Sequence, residues 1–311
     1  MIFGSECGTI SLQMVGVEGG SSISADNLTL THEPRVSFAT TRRYAGFVVP
    51  KGVKMEHILS LSYGKDSLAC LGAIEELGLP LDRIIHAEVW ATDTFPADLP
   101  PMVEFKEKAD KIIFDRYGIE VEHIRHKLSF EKMLYQKKQR GKHIGEIRGF
   151  PITASSGGWC KNLKIMNKLS PQNAISYVGI ACDEPNRFHS LTETKRSPLI
   201  EAGWTERMCR EWCIKNDLLS PIYTTATRGG CWFCHNQGVG QLRILRKTYP
   251  EYWALMLKWD LDSPIPFHAD GHTVHDFEKR FALEDAELIP MDRQFRWEWL
   301  GNPPGTRTRL F

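Results

Sequence analysis

From Met55 onward the chain alternates between short apolar runs and longer stretches of helical character. Residues 57–61, with Ile58-Leu59-Ser60-Leu61, read as a buried strand, and the stretch from Ser67 to Leu77 reads as a helix that Leu79-Pro80 closes. A second strand is predicted over 84–90, a helix over 101–117 stopped by Gly118, a third strand over 121–125 and, further on, a fourth over 175–180. Strands alternating with helices predict an α/β fold, a parallel twisted sheet with helices on both faces. From Gly203 the pattern turns mainly helical. Thr205 is placed to cap one helix, and another spans 242–257, broken or restarted at Pro250. Trp253, Trp259, Trp297 and Trp299 are expected as core and docking residues. Residues 1–54 are different: Gly, Ser and Thr are frequent, as in Gly19-Gly20-Ser21-Ser22, and no period persists. Either that segment is an N-terminal extension, disordered or short β, or the functional chain starts at Met55, and the second is the reading we favour. The division is then 1–54, an α/β domain over 55–200, and a helical region over 201–311.

Composition alters this picture little. A 42% hydrophobic content over 311 residues fills a core, and 39 Lys+Arg against 38 Asp+Glu leaves a net charge of +1. No global attraction to nucleic acid or membrane follows from that balance. No apolar run approaches the roughly 18 residues needed to cross a bilayer. The first residues lack the basic-then-apolar pattern of a secretory signal, so a cytoplasmic protein is expected. The eight cysteines then read as thiols or metal ligands rather than a disulfide framework. One segment departs from neutrality. Residues 123–142 carry Arg125, Lys127, Lys132, Lys137, Lys138, Arg140 and Lys142 against Glu131 alone. They form either a solvated helix face or a basic arm for a polyanion such as DNA or tRNA, which Gly141, Gly145 and Gly149 would make mobile.

The first strand runs into Ser62-Tyr63-Gly64-Lys65-Asp66-Ser67 and then the first helix. A turn of small residues opening a helix leaves backbone N–H groups unpaired, and with the positive end of the helix dipole they bind phosphate. Lys65 adds a full charge. In parallel sheets ligands sit at the carboxyl ends of strands, where both this turn and Thr92-Asp93-Thr94 fall. A Walker loop, a G-x-G-x-x-G turn after a strand and an H-E-x-x-H helix are all missing from the sequence.

The turn resembles the S-G-G-K-D-S loop of the PP-loop ATP pyrophosphatases, the adenine nucleotide α-hydrolases, with Tyr63 in place of the first glycine. Tyrosine avoids φ > 0, so its amide serves a phosphate provided the backbone there stays at φ < 0. Four further segments resemble the phosphoadenosine phosphosulfate (PAPS) reductase branch. They are Thr92-Asp93-Thr94; Gly149-Phe150-Pro151 leading to Trp159-Cys160 and Leu163-Lys164; Tyr177-Val178-Gly179-Ile180 with Asp183-Glu184 and Arg187; and residues 197–205. Ala181 stands where that branch usually has an arginine. The resemblance spans roughly 55–259. It implies ATP, or PAPS or its unphosphorylated relative APS, bound by Ser62, Tyr63, Gly64, Lys65, Asp66 and Ser67 with Gly179, Asp183 and Arg187. It implies attack on the α-phosphate, with Lys65 on the leaving pyrophosphate and Asp66 on Mg²⁺. Asp93 is a second candidate for Mg²⁺ or the ribose, or an ordinary polar residue ending a strand.

Gly229-Gly230-Cys231-Trp232-Phe233-Cys234-His235 is a second motif. C-x-x-C lets two thiolates reach one metal from a tight turn. With Cys160 and Cys213 it makes a Cys₄ set suited to Zn²⁺ or [4Fe–4S]. His235, Cys209 or Cys182 are alternative fourth ligands, and the plain alternative is a scatter of buried thiols. Cys7 and Cys70 are bystanders, Cys70 on the inward face of the first helix. A PAPS reductase needs a nucleophilic cysteine near its end, and no cysteine follows Cys234. The resemblance therefore points to an enzyme that adenylylates an acceptor for sulfur transfer, on nucleic acid and with a sulfur donor protein. The alternatives are a non-catalytic nucleotide- or nucleic-acid-binding module with structural zinc, and a thiol oxidoreductase using Cys231 and Cys234.

Overall fold

Five parallel strands make one sheet in the order β3-β2-β1-β4-β5. They are β1 (Glu56–Leu61), β2 (Arg83–Glu88), β3 (Val121–Arg125), β4 (Ala174–Tyr177) and β5 (Lys195–Arg196). The computed structural model describes residues 55–151, 173–225, 230–291 and 295–301, all within the unit Gly46–Phe311. The α/β fold expected from the sequence is present. β1 is central, with Leu61 beside His86 of β2 and Leu59 beside Tyr177 of β4. The chain builds β2 and β3 on one side of β1, then crosses to build β4 and β5 on the other. Such a reversal opens a crevice at the carboxyl ends of the strands that flank it.

Two strands are shorter than their apolar runs. β2 ends at Glu88 because Trp90 leaves the sheet and bridges Pro96 across a tight turn, which the Thr92 hydroxyl closes. β4 ends at Tyr177; Val178 still donates to the Arg196 carbonyl at 3.0 Å, and Gly179 then turns towards the first helix.

That helix, α1 (Lys65–Leu77), starts at Gly64 and stops at Gly78, whose φ of 61° ends it in the left-handed conformation. It is buried continuously from Ser67 to Ile74, Cys70 included. α2 (Pro100–Tyr117) opens on a proline and closes on Gly118 at φ 66°. α3 (Phe130–Leu134) and α4 (Pro198–Glu201) are single turns. α5 (Glu206–Lys215) is capped by Thr205, as its sequence predicts. It packs on α1 where Gly72 has no side chain; a Cβ there would lie 2.3 Å from the Trp212 indole nitrogen. α6 (Ile222–Thr225) precedes the cysteine turn. The expected helix over 242–257 is two: α7 (Val239–Thr248) and α8 (Pro250–Asp262), with Pro250 restarting the second at its first turn. α9 (Val274–Asp285) follows.

The apolar side chains gather in two main cores. One packs the sheet against α1, α2 and α5, and draws on residues either side of position 200, including Tyr177, Leu199, Cys209 and Cys213. The other is aromatic: Phe130, Trp253 and Trp259 lie with Trp232 and Phe233. Trp297 docks at its edge, stacked on His272 at 3.5 Å. Among the described residues no helix is long and apolar enough to cross a membrane.

Candidate functional site

The turn over 62–67 follows β1, at the strand-order reversal. Ser67 closes it: its hydroxyl lies 3.0 Å from Ser62 Oγ, accepts from the Ser62 amide at 3.1 Å and donates to the Gly64 carbonyl at 3.0 Å. Gly179, leaving β4, presses against the same turn. A Cβ at Gly179 would sit 2.5 Å from Ser67 N and 2.6 Å from the Asp66 carbonyl carbon. The two arms of the crevice therefore meet backbone to backbone. The Lys65 amide donates to the Tyr223 hydroxyl of α6 at 3.0 Å. The amides of Tyr63, Gly64 and Asp66 find no acceptor among the described residues. Unpaired amides at the start of a buried helix form an anion cradle.

Tyr63 is not held at negative φ. It adopts φ 55°, the left-handed conformation that a glycine would take. What holds it there is its side chain, which is fully buried. The hydroxyl donates to Asp110 and lies 3.1 Å from His123 Nε2, the ring meets His86 edge-on at 4.7 Å, and the Lys106 ammonium lies 5.2 Å from its centroid. Burial, reinforced by Asp110, keeps the phenol protonated.

These groups belong to a polar layer under the turn. His86 Nδ1 donates to the Leu61 carbonyl at 2.9 Å, which leaves Nε2 to accept from Lys106 at 2.8 Å. Burial and the Lys106 charge hold His86 well below the ordinary histidine range. Lys106 also pairs with Asp98 at 2.5 Å. His123 donates to Asp110 at 2.9 Å and Glu88 at 2.8 Å, and these two bonds push it up to about 9. Above the layer is a cavity of about 290 Å³, lined by residues 60–64, His86, Asp98, Lys106 and, opposite the turn in sequence, Gly230 and Cys231. Sequence reading missed Asp98, Lys106 and Tyr223. Lys106 sits in a charged stretch of α2 that looks solvated, and nothing local marks its burial.

Lys65 faces elsewhere. Its ammonium binds Asp66 at 2.7 Å and Glu206 at 3.0 Å. Burial opposes that charge, yet the two hydrogen bonds prevail and raise it to about 12. Burial likewise pushes the Asp66 carboxyl up, against the pull of Lys65. One oxygen each from Asp66, Glu184 and Glu206 lie within 4.8 Å of one another. Three hard oxygen donors suit Mg²⁺.

The other expected residues divide. Asp183 accepts the Glu206 amide at 3.0 Å and so fixes the start of α5, while Arg187 grips Glu184 with 2.8 Å hydrogen bonds. The first contact ties the loop after β4 to α5, and the second is made within that loop. Asp93 is turned away from the cavity lining, exposed and paired with Lys132 at 2.6 Å and more distantly with Arg125. The basic segment is only partly an open arm. Arg125 and Lys132 are engaged by Asp93, and residues 136–148 fold back as an antiparallel finger, with Gly141 and Gly145 at φ 91° and 88°. Lys137, Arg140 and Lys142 remain exposed on it.

The cysteines do not assemble as a set of three or more among the described residues. Cys213 lies in the sheet-side core with Cys70 and Cys209, its thiol donating to the Lys65 carbonyl. Burial pushes that thiol up to about 12, which disfavours the thiolate a metal needs. Cys231 and Cys234 share a turn whose middle, Trp232 and Phe233, anchors it in the aromatic core. Cys182 lies in the loop after β4, and Cys160 lies outside the described residues.

No protein-family profile and no curated protein matches the chain. Among solved structures, the U34-tRNA thiolase NcsA from Methanococcus maripaludis with its [4Fe-4S] cluster is similar over 73% of this chain and 81% of its own, at 14% identity and a TM-score of 0.34. A score that low establishes no kinship.

Proposed function

We propose that this chain is a PP-loop, PAPS reductase-like enzyme that binds an adenine nucleotide at the 62–67 turn and adenylylates an acceptor for sulfur transfer. One observation carries the reading: Ser62, Tyr63 and Gly64 line the same cavity as Cys231. An anion cradle at the strand-order reversal and a thiol motif thus share one chamber. In the proposed reaction an acceptor oxygen attacks the α-phosphorus of ATP. The new O–P bond forms as the bond to the β-phosphate breaks, and pyrophosphate leaves with the electron pair. The amides of Tyr63, Gly64 and Asp66 face the charge that develops on it. A sulfur donor protein then delivers a sulfur nucleophile to the activated carbon, and AMP departs.

Asp66, Glu184 and Glu206 would hold Mg²⁺, which would screen the phosphates when bound. Lys65, which pairs with Asp66 and Glu206 beside that site, would offer its charge to the departing pyrophosphate. For a cluster or zinc, the described cysteines offer the Cys231 and Cys234 pair; Cys160 would be a further ligand, and Cys213 does not fit. The exposed Lys137, Arg140 and Lys142 would meet a nucleic-acid acceptor.

Pyrophosphate release from ATP and calorimetry with a non-hydrolysable ATP analogue test this reading. Saturable binding, weakened about tenfold or more in Lys65→Ala, supports it. No binding of any adenine nucleotide would overturn it. A second reading, a binding module without turnover, is favoured by one fact: Lys65 and its amide are already satisfied within the protein, by Asp66, Glu206 and Tyr223. Binding without pyrophosphate release, whatever the acceptor, would select it.

A further inference from the structure

One side chain reaches the anion cradle from outside the 62–67 turn. It is Tyr223 of α6, whose hydroxyl accepts from the Lys65 amide at 3.0 Å. Lys65 is the first residue of α1, so its amide is one of the donors that a helix leaves unpaired at its start. A Cβ added at Gly64 would meet the same hydroxyl at 3.5 Å. The Tyr223 oxygen therefore stands against Gly64 and Lys65 together. It touches the cradle as a ligand oxygen would, by accepting from the backbone.

What positions this side chain lies away from the turn. The Tyr223 amide donates to the Ser220 carbonyl at 3.2 Å, and the buried Ser220 hydroxyl donates to the Met102 sulfur at 3.1 Å. Ile222 packs on the sheet-side core. The entry to α6 is thus fixed, while Tyr223 itself is half-buried. Burial pushes its phenol up, so the oxygen stays neutral. Hydrogen bonds to a charged acceptor are roughly twice as strong as those to a neutral one, so a phosphate oxygen would outcompete the phenol for the Lys65 amide.

We infer that the Tyr223 hydroxyl is an internal stand-in for a phosphate oxygen, seated on the Lys65 amide until a phosphate displaces it. The inference rests on the proposed function for the identity of that ligand. Asp66 and Glu206 hold the Lys65 ammonium in the same way, so the protein occupies both ends of Lys65 with its own groups. The turn keeps its shape when the ligand enters, and only the Tyr223 side chain moves. A ligand that needs the hydroxyl gone has its affinity reduced by the fraction of molecules in which it is gone. A hydroxyl that instead contacts the ligand would have the opposite effect, which makes the sign of the change decisive.

Calorimetry on the full chain tests this, with inorganic pyrophosphate and a non-hydrolysable ATP analogue as probes. Tyr223→Phe, which keeps the ring and removes the hydroxyl, is compared with the parent. Thermal unfolding checks that it folds, and Tyr223→Leu takes its place if it does not. Removing the stand-in should tighten pyrophosphate binding about two- to tenfold, the worth of one hydrogen bond. Equal affinity in variant and parent would overturn the inference. Weaker binding by the variant would overturn it too, by making the hydroxyl a ligand contact. A gain for pyrophosphate with no binding of the ATP analogue by either protein would uphold the stand-in and remove the proposed function. Binding of neither probe by parent or variant would remove both.

Discussion

Gly179→Ala and Gly64→Ala place a methyl group on the two arms of one site, and the structure gives them opposite outcomes. At Gly179 the added Cβ would stand 2.5 Å from Ser67 N, about 0.9 Å inside the 3.4 Å at which ordinary contact begins, and 2.8 Å from Ser67 Cα. The obstructing atoms are backbone at the first turn of α1, which no rotamer change can move. Overpacking a filled interior costs about 1–3 kcal/mol, and the upper part of that range applies where the obstacle is main chain. For a chain of this size, that loss lowers Tm by roughly 2–4 °C per kcal/mol. At Gly64 φ is −77°, and a Cβ would meet only the Tyr223 hydroxyl at 3.5 Å and Ser62 Oγ at 3.6 Å, ordinary contacts. Thermal unfolding of both variants, with titration of an ATP analogue, is the assay. Gly179→Ala should lose several degrees and most of its nucleotide affinity; Gly64→Ala should melt within about a degree of the parent. Equal Tm values for Gly179→Ala and the parent would refute the claim that the two arms touch through their backbones, and so would a large loss in Gly64→Ala.

Other outcomes follow from the polar layer and the cysteines. Tyr63→Phe leaves Asp110 and His123 without their phenol and should cost about 1–3 kcal/mol in urea unfolding; an unchanged midpoint would mean that the network does not hold the turn. His123 is raised to about 9 from 6.5, so it stabilises the fold fully below its unfolded value, and that contribution disappears as pH rises through about 9. The urea midpoint should therefore fall across that window, and His123→Gln should flatten the fall; identical slopes in the two proteins would remove His123 as the cause. His86 acts at the other end: its lowered value means that acid takes stability away as pH drops below the ordinary histidine range. Asp93→Asn should leave ATP-analogue affinity unchanged, because Asp93 faces Lys132 rather than the cavity; a tenfold loss would return it to the site. Metal analysis of anaerobically purified protein should find any zinc or iron lost in Cys231→Ser and kept in Cys213→Ser. Loss in the latter would show that Cys213 leaves its core to ligate.

How far the sequence could be read depended on how local each signal was. The apolar run of β1, the polar turn and the start of α1 are contiguous, and so were visible as a unit. Thr205 and Pro250 announce helix starts through their own chemistry, although Pro250 divides what the apolar pattern joins. Tyr63 was legible as an anomaly but not as a solution. Its partners are remote: Asp110 and His123 lie 47 and 60 residues further on, and no short window contains them. Spacing suggested that Cys213 belongs with Cys231 and Cys234. Helix phase decides otherwise, turning Cys213 inward against α1. Lys106 and Asp98 escaped notice because charged residues near a helix start usually mark a solvated face.

The left-handed backbone at Tyr63 also bears on the timing of ligand capture. Most phosphate loops owe their suppleness to glycine, and a supple loop must be ordered when the ligand arrives, at a cost of about 1–2 kcal/mol for each residue fixed. Here the ring of Tyr63 is locked into the interior as the chain folds, so the turn is rigid before any ligand comes. Association at such a turn would involve no loop-closing step, and its rate would follow diffusional encounter and ionic strength rather than temperature-driven loop motion. The free and ligand-bound turns should then superpose.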